Sequence, residues 1–583
     1  MEGVLLFKKT YAKNEVVLSP IPNYWDAVAL LLVLAILVLL GYGANAMMVR
    51  FDLGQPLSIS LDPTMLPYYA LRTILRMLIA MFFSLLFAFT FGTWAAKSRD
   101  AERIIIPIID ILQSVPVLGF LTITVATFVS LFHGSLLGPE CAALFAIFTA
   151  QAWNMALSFY QSLRTVPNDL QEASTMLQLS AWQCFWRVEA PFATPGLLWN
   201  TMISMSGSWI FLVASEAITV AGHDIMLPGI GSYIGLAIKH ADKMAVIYVI
   251  ITMIIVIALY DQLLFRPLVA WAEKFSAEVN VGESEAQSWI LNLFQRTRFL
   301  RFIGKYFSLL GNAIVNCQIF RYRLPRKVSE YRHLFRRFFT IGWNVLLILA
   351  LAISFYLLMR FILAEVSWPE IFHVFYLGFV TGLRVTILLI FSSLIWVPIG
   401  VWVGLRPNIS RVVQPIAQFL AAFPANLLFP IIVVCIIRFA LNVNIWTSPL
   451  MILSAQWYIL FNVIAGVMAL PKNLHHAIGT LNVTGWLWWK RFMLPGIFPY
   501  YITGAITAAG SAWNTSIIAE AVSWGDTHLH AIGLGAYITS VSQQGDFPRL
   551  ALVIMVMSLY VLTFNHSLWR PLYRLAEEHF QVK

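Results

Sequence analysis

Apolar residues in this chain fall in long unbroken runs, near positions 25–48, 72–95, 105–132, 141–163, 196–221 and 244–265, and again near 340–363, 377–404, 413–437, 447–469, 499–522 and 549–568. A helix needs roughly 20 apolar residues to cross a bilayer, and each run approaches or exceeds that length. None of them alternates with period two, so a membrane β-barrel is excluded. The pattern predicts an all-α polytopic membrane protein with about 12 transmembrane helices, six in each half.

The halves are related in detail. At a constant offset of 304 residues, Trp153 falls on Trp457, Pro167 on Pro471, Trp182 on Trp486, Pro191 on Pro495, Trp209 on Trp513, Glu216 on Glu520, and Arg266-Pro267-Leu268 on Arg570-Pro571-Leu572. Upstream the offset is 308, pairing Arg76 with Arg384, Gly92 with Gly400, Pro107 with Pro415 and Pro116 with Pro424. Rare Trp, Pro and Glu in ungapped register are not explained by shared apolar composition. The chain therefore reads as two tandem parallel halves, 1–270 and 336–583, joined by a linker at 271–335.

Composition agrees: of 583 residues, 60% are apolar and 11% are Asp, Glu, Lys or Arg. The formal charge of +10 would suggest nucleic acid for a soluble protein. Here it marks loops on the cytoplasmic side, and no nucleic-acid partner is expected. The linker carries Lys274, Arg296, Arg298, Arg301, Lys305, Arg321, Arg323, Arg326, Lys327 and Arg332, which places it in the cytoplasm. An even number of spans per half then puts both termini there as well. Phe294, Phe302 and Phe307 between those cations allow either a helix lying on anionic lipid or a plain tether. Cys141, Cys184, Cys317 and Cys435 have no metal or redox spacing and read as reduced. With Glu2, Lys8, Lys9, Lys13 and Glu15 before Pro22, a cleavable signal peptide is not expected.

The stretch between the fourth and fifth runs of each half carries the most information. Leu170, Ala173 and Leu177 recur at i, i+3 and i+7, and Trp182, Phe185 and Trp186 at i, i+3 and i+4. Both are helical faces, and Ser180 or Thr484 sits where it can cap the second helix. Two short amphipathic helices with a turn are predicted, projecting from the membrane twice per chain toward a two-fold partner.

The pattern Glu172-Ala173, then Trp182, Gln183, Phe185, Trp186, Val188 and Pro191, with Ala477, Trp486, Trp489 and Pro495 in the second half, resembles the "EAA" cytoplasmic loop of type I ABC importer permeases. The segments around Glu216 and Glu520 and the tail from Trp569 are similar to the nitrate, sulfonate, taurine and bicarbonate branch. The resemblance implies a fused permease in a bacterial inner membrane, with each loop seated on one of two ATP-binding cassette ATPase subunits. It also implies a separate extracytoplasmic substrate-binding protein and a small anionic solute. This chain has no Gly-x4-Gly-Lys-Ser/Thr phosphate loop, so it is not expected to be an enzyme. No cofactor is expected in it; ATP and Mg belong on the partners.

Two departures from the family stand out. At the turn where the family has glycine, this chain has Gln178 and Asn482. Asn accepts positive φ better than Gln, so the first loop is expected to turn differently. The acidic Glu172 becomes His476, which makes the two docking loops chemically unequal.

A carboxylate at membrane depth is costly and faces a partner or a water-filled path by default. Glu216 and Glu520 are therefore expected to line a translocation path, with Trp209 and Trp513 beside them; the alternative is a hydrogen bond to a neighbouring helix. His223, Asp224, Asp526, His528 and His530 read as ordinary loop residues rather than a metal site, and Gly229-x-Gly231 and Gly533-x-Gly535 as tight turns or packing points. The rival readings are a gradient-driven transporter of the major facilitator type, a permease for a metal cation, and a non-transporting scaffold.

Overall fold

The computed structural model describes residues 24–47, 59–220, 223–272, 289–297, 299–316, 331–453, 455–471, 474 and 478–580. Nearly all of these are helical. The strands among the described residues form two small hairpins, Ala217–Val220 with His223–Met226 and Ala521–Trp524 with Thr527–His530. Their registers correspond, Ala217 lying opposite Met226 and Ala521 opposite His530, so the repeat extends to backbone pairing.

Among the described residues, eight helices are long and apolar enough to cross a membrane, or ten if two bent pairs each count as one span; the hydropathy pattern predicts twelve. Helices Tyr24–Met47 and Tyr331–Leu363 occupy the first-span positions of the two repeats. The third span of each repeat, a single run in the hydropathy pattern, is a bent pair. Arg99–Gln113 meets Val117–Leu131 at 100°, and Pro407–Ala422 meets Ala425–Arg438 at 80°. Prolines cause both breaks. Val115 and Phe423 precede Pro116 and Pro424 and are extended, each at ψ 125, because a following proline ring excludes the helical region.

Four other prolines are absorbed without a break. Each follows a π-helical turn, at Phe185–Glu189, Asp261–Phe265, Trp489–Met493 and Asn565–Trp569. In each case the residue before the proline donates five residues back: Ala190 to Phe185, Arg266 to Asp261, Leu494 to Trp489 and Arg570 to Asn565. Proline lacks an N–H and crowds the carbonyl four residues upstream. One extra residue in the turn moves that carbonyl away and lets the helix continue. As a result, the second short helix predicted in each loop is not a separate element. It is the first turn of a fifth-span helix, Ala181–Glu216 or Gly485–Ala519.

The chain divides into two compact units, Met1–Ala44 with Gln161–Trp199 and Leu259–Val328, and Asn45–Tyr160 with Asn200–Ala258 and Ser329–Lys583. This division cuts across the boundaries at 270 and 335 read from the repeat. The first unit holds the first aromatic loop and the linker helices Trp289–Arg296 and Phe299–Val315. In the second unit the two repeats share one core, which runs from Val117, Leu121 and Val125 to Trp513, Ile517 and Val553. At that seam the Val117 N–H donates to Asn514 Oδ1 at 2.9 Å.

Candidate functional site

Each aromatic loop is built by local hydrogen bonding. In the first, helix Asn168–Met176 ends in a left-handed residue, Gln178 at φ 52. The Leu179 N–H then donates back to the Ser174 carbonyl at 3.1 Å. In the second, Asn482 has φ 48 and the Val483 N–H donates to the Ile478 carbonyl at 3.3 Å. Both are the six-to-one closure that ends helices at a left-handed residue. The first loop therefore does not turn differently: the closure is stronger than the preference of Gln. Ser180 caps the following helix in a reciprocal box with Gln183. Thr484 makes no side-chain cap, because Gly485 at φ 62 carries the backbone away from capping geometry.

Glu172 and Ala173 are exposed, Trp182 is half-buried, Phe185 is buried, and Trp186 remains 41% exposed. Trp186 meets Trp182 edge-on, with centroids 5.6 Å apart. In the second loop Trp486 is 74% exposed and Trp489 half-buried. His476 and Ala477 lie outside the described residues.

The linker engages the first loop directly. The Trp182 indole N–H donates to the Ile314 carbonyl at 3.4 Å. Asn316 Oδ1 accepts from Gln183 at 3.2 Å and from Arg187 at 2.7 Å.

At the far end of each fifth span lies a buried ionic cluster. Glu216 is fully buried, and its Oε1 accepts from Thr73 at 2.8 Å and from Arg76 at 2.6 Å. Its Oε2 accepts from the Gly231 N–H at 2.6 Å, while the Ile230 N–H donates to Thr73 at 3.0 Å. The carboxylate thus sits on the N-terminus of helix Ile230–Lys239, where free N–H groups and the helix dipole favour an anion.

Glu520 repeats this arrangement: Thr381 at 2.9 Å, Arg384 at 2.6 Å, the Gly535 N–H at 2.6 Å, and Leu534 N–H to Thr381 at 3.0 Å. A Cβ at Gly229 or Gly533 would overlap these carboxylates. The Gly-x-Gly segments are close-packing points against the acids.

The sequence leads one to expect Glu216 and Glu520 along an open path. In this structure both face protein and are fully paired, because an unpaired carboxylate at this depth would carry a large desolvation cost. Trp209 and Trp513 are buried as well, the latter stacked on Tyr560 and tilted against Phe564. Between the repeats, Met202, Ile203 and Ser206 of the first fifth span meet Gln418, Tyr458 and Phe461 around a void of about 20 Å³, so the seam is closed here.

Residue-level reasoning misses Glu140. It binds Arg72 at 2.6 Å and Arg76 through two contacts of 2.5 and 2.7 Å. Arg76 and Arg384 match in the repeat register, and that match is the usable signal for their pairing with Glu216 and Glu520, but not for Glu140.

A family model described as binding-protein-dependent transport system inner membrane component matches residues 88–266 and again 396–568. The double match bears out the tandem duplication. The bicarbonate transport system permease protein CmpB of Synechocystis sp. is 25% identical over 178 residues, 30% of this chain and 60% of that protein. The nitrate import permease protein NrtB of Synechocystis sp. is 27% identical over 175 residues, 30% and 57% of the two chains. The glycine betaine/proline betaine transport system permease protein ProW of Escherichia coli is 27% identical over 163 residues, 28% and 44% of the two chains. The alignments span less than two thirds of each of these relatives.

Proposed function

This chain belongs to the family of binding-protein-dependent transport system inner membrane components, and on that premise we propose that it forms the whole membrane path of an ATP-driven importer, two permease halves in one polypeptide. The observation that carries the reading is the pair of aromatic loops, which share one left-handed closure and each open directly into a fifth-span helix. Two ATP-binding cassette subunits grip the loops at Glu172–Pro191 and His476–Pro495, on the cytoplasmic side together with both termini and the basic linker. A separate extracytoplasmic protein delivers the solute. ATP and Mg act on the partner subunits.

The second repeat supports the mechanics. One helix of 35 residues, Gly485–Ala519, runs from the loop to Glu520, about 52 Å at ~1.5 Å per residue. Glu520 ties its far end to helix Leu534–Gln544 through the Gly535 N–H. A push on Trp486 therefore moves the helix, its carboxylate anchor and the hairpin together. The halves rock about their pseudo-two-fold axis, and the seam at Met202, Gln418 and Tyr458 opens and closes between them.

The solute we propose is a small anion. The relatives named for bicarbonate and nitrate support that, and ProW, named for betaines, supplies the competing class to test.

The test is reconstitution of the chain with its ATPase and delivery protein in proteoliposomes, assayed for uptake of nitrate, bicarbonate and glycine betaine. Trp186→Ala and Glu172→Lys are expected to leave the purified permease folded and to lower uptake per ATP hydrolysed at least tenfold. Wild-type uptake by both variants, or uptake without any ATPase, would overturn the docking role.

A further inference from the structure

Beside the second aromatic loop a cavity of about 810 Å³ opens between helix Trp368–Gly404 and the start of helix Gly485–Ala519, with Leu575 on one wall. That is within the ~300–1,000 Å³ typical of built ligand pockets. Its walls are apolar, from Leu394 and Val397 on one side to Phe498 on the other. The two hydroxyls inside are already used, Tyr501 donating to Ser393 at 3.0 Å. Among the described lining residues Lys490 is the one charge; it is exposed and has no ion-pair partner among the described residues. Trp486 and Trp489 stand with it at the rim.

Each part of this arrangement matches one part of an amphiphile. Alkyl walls take a hydrocarbon chain. Indoles settle at the boundary between hydrocarbon and headgroups. A lone ammonium next to them meets the phosphate of an anionic leaflet. A small hydrophilic solute would find one cation and two indole N–H groups at the rim, and otherwise apolar walls. A zwitterionic lipid would place its own cation next to Lys490.

We propose that this cavity is a binding site for an anionic glycerophospholipid, its phosphate on Lys490 and an acyl chain in the groove between Leu394, Val397 and Phe498. The inference needs only that the chain is membrane-embedded, and it is tested on the chain alone because Trp486 and Lys490 also belong to the loop proposed to meet the ATPase.

The test is native mass spectrometry of the full chain, purified in detergent, stripped of lipid, and titrated with phosphatidylglycerol or phosphatidylcholine of identical acyl chains. The first phosphatidylglycerol adduct is expected at a lipid concentration at least tenfold lower than the first phosphatidylcholine adduct. Lys490→Glu should erase that gap without changing phosphatidylcholine uptake, and Lys490→Gln should reduce it. Val397→Trp, which fills the groove and keeps the charge, should remove the tight adduct. Millimolar inorganic phosphate should not displace the lipid. Equal uptake of the two lipids, a preference that survives both Lys490→Glu and Val397→Trp, or displacement by phosphate alone would each overturn the proposal.

Discussion

The two buried ionic clusters share a frame and differ in how much charge they hold. In both, a fifth-span glutamate takes a threonine and an arginine from the second span and a backbone N–H from a glycine, at distances within 0.1 Å of each other. The first repeat adds Arg72 and Glu140, all four charged groups being 1% exposed or less. At the repeat offsets those two positions hold Val380 and Asn444. Arg384 turns its spare nitrogen to the Ile532 carbonyl at 3.2 Å, and Asn444 accepts from the Ile532 N–H at 2.8 Å. A cation and an anion are missing together, so each cluster stays neutral. Neutrality is what such a site must conserve, because one uncompensated buried charge costs far more than a lost pair.

The comparison breaks most sharply at Glu140. Replacing it alone by the second repeat's residue, Glu140→Asn, removes the acceptor of both Arg72 and Arg76 and should cost about 3–5 kcal/mol. Arg72→Val alone leaves an excess anion and should cost somewhat less. The double variant, which transplants the second repeat's solution into the first, should return to within about 1 kcal/mol of wild type, since removing the cation and the anion together keeps the cluster neutral and the Asn amide can still accept from Arg76. Thermal unfolding of the detergent-purified chain measures all three. Additive losses in the double variant would show that the pair is not a unit.

The aromatic loops differ in the same way: the backbone closure is common to both, and the surroundings are not. The first loop has the linker against it, through Asn316 and the Ile314 carbonyl. Asn316→Ala removes one acceptor that serves Gln183 and Arg187. At an exposed site this should cost about 1 kcal/mol, read as faster amide exchange in residues 181–187 with no change in 485–491. Matching acceleration in both loops would mean the linker contact is not what distinguishes them.

Much of this is legible in the amino-acid sequence alone. Periodicity places the loop helices, the repeat register pairs Glu216 with Glu520 and Arg76 with Arg384, and Ser180 announces its cap. What escapes has physical reasons. Hydropathy is blind to direction, so the bends at Pro116 and Pro424 are hidden inside continuous apolar runs. Glu140 lies 64 residues from Arg76 and has no acidic counterpart in the second half, so neither local pattern nor register can flag it. The two fifth-span acids are recognisable as needing a partner or water, and only packing shows that the partner is an arginine and a helix N-terminus. The second short helix of each loop reads as separate from the fifth span because a π turn leaves no compositional trace.

The turn residues Gln178 and Asn482 sharpen the comparison at its finest level. Both are left-handed, at φ 52 and φ 48, where a Cβ crowds the following carbonyl by roughly 1–2 kcal/mol for an ordinary side chain and less for Asn. Gln178→Gly should therefore stabilise the first loop by about 1 kcal/mol, after allowing for the greater freedom of glycine in the unfolded chain. Asn482→Gly should change the second by only a few tenths, since Asn already tolerates the conformation. Protection of the Leu179 and Val483 amides, which close the two turns, reports each effect separately. A larger gain at Asn482 than at Gln178 would mean that side-chain strain is not what separates the two turns, and that the ends of the helices before them set their stability instead.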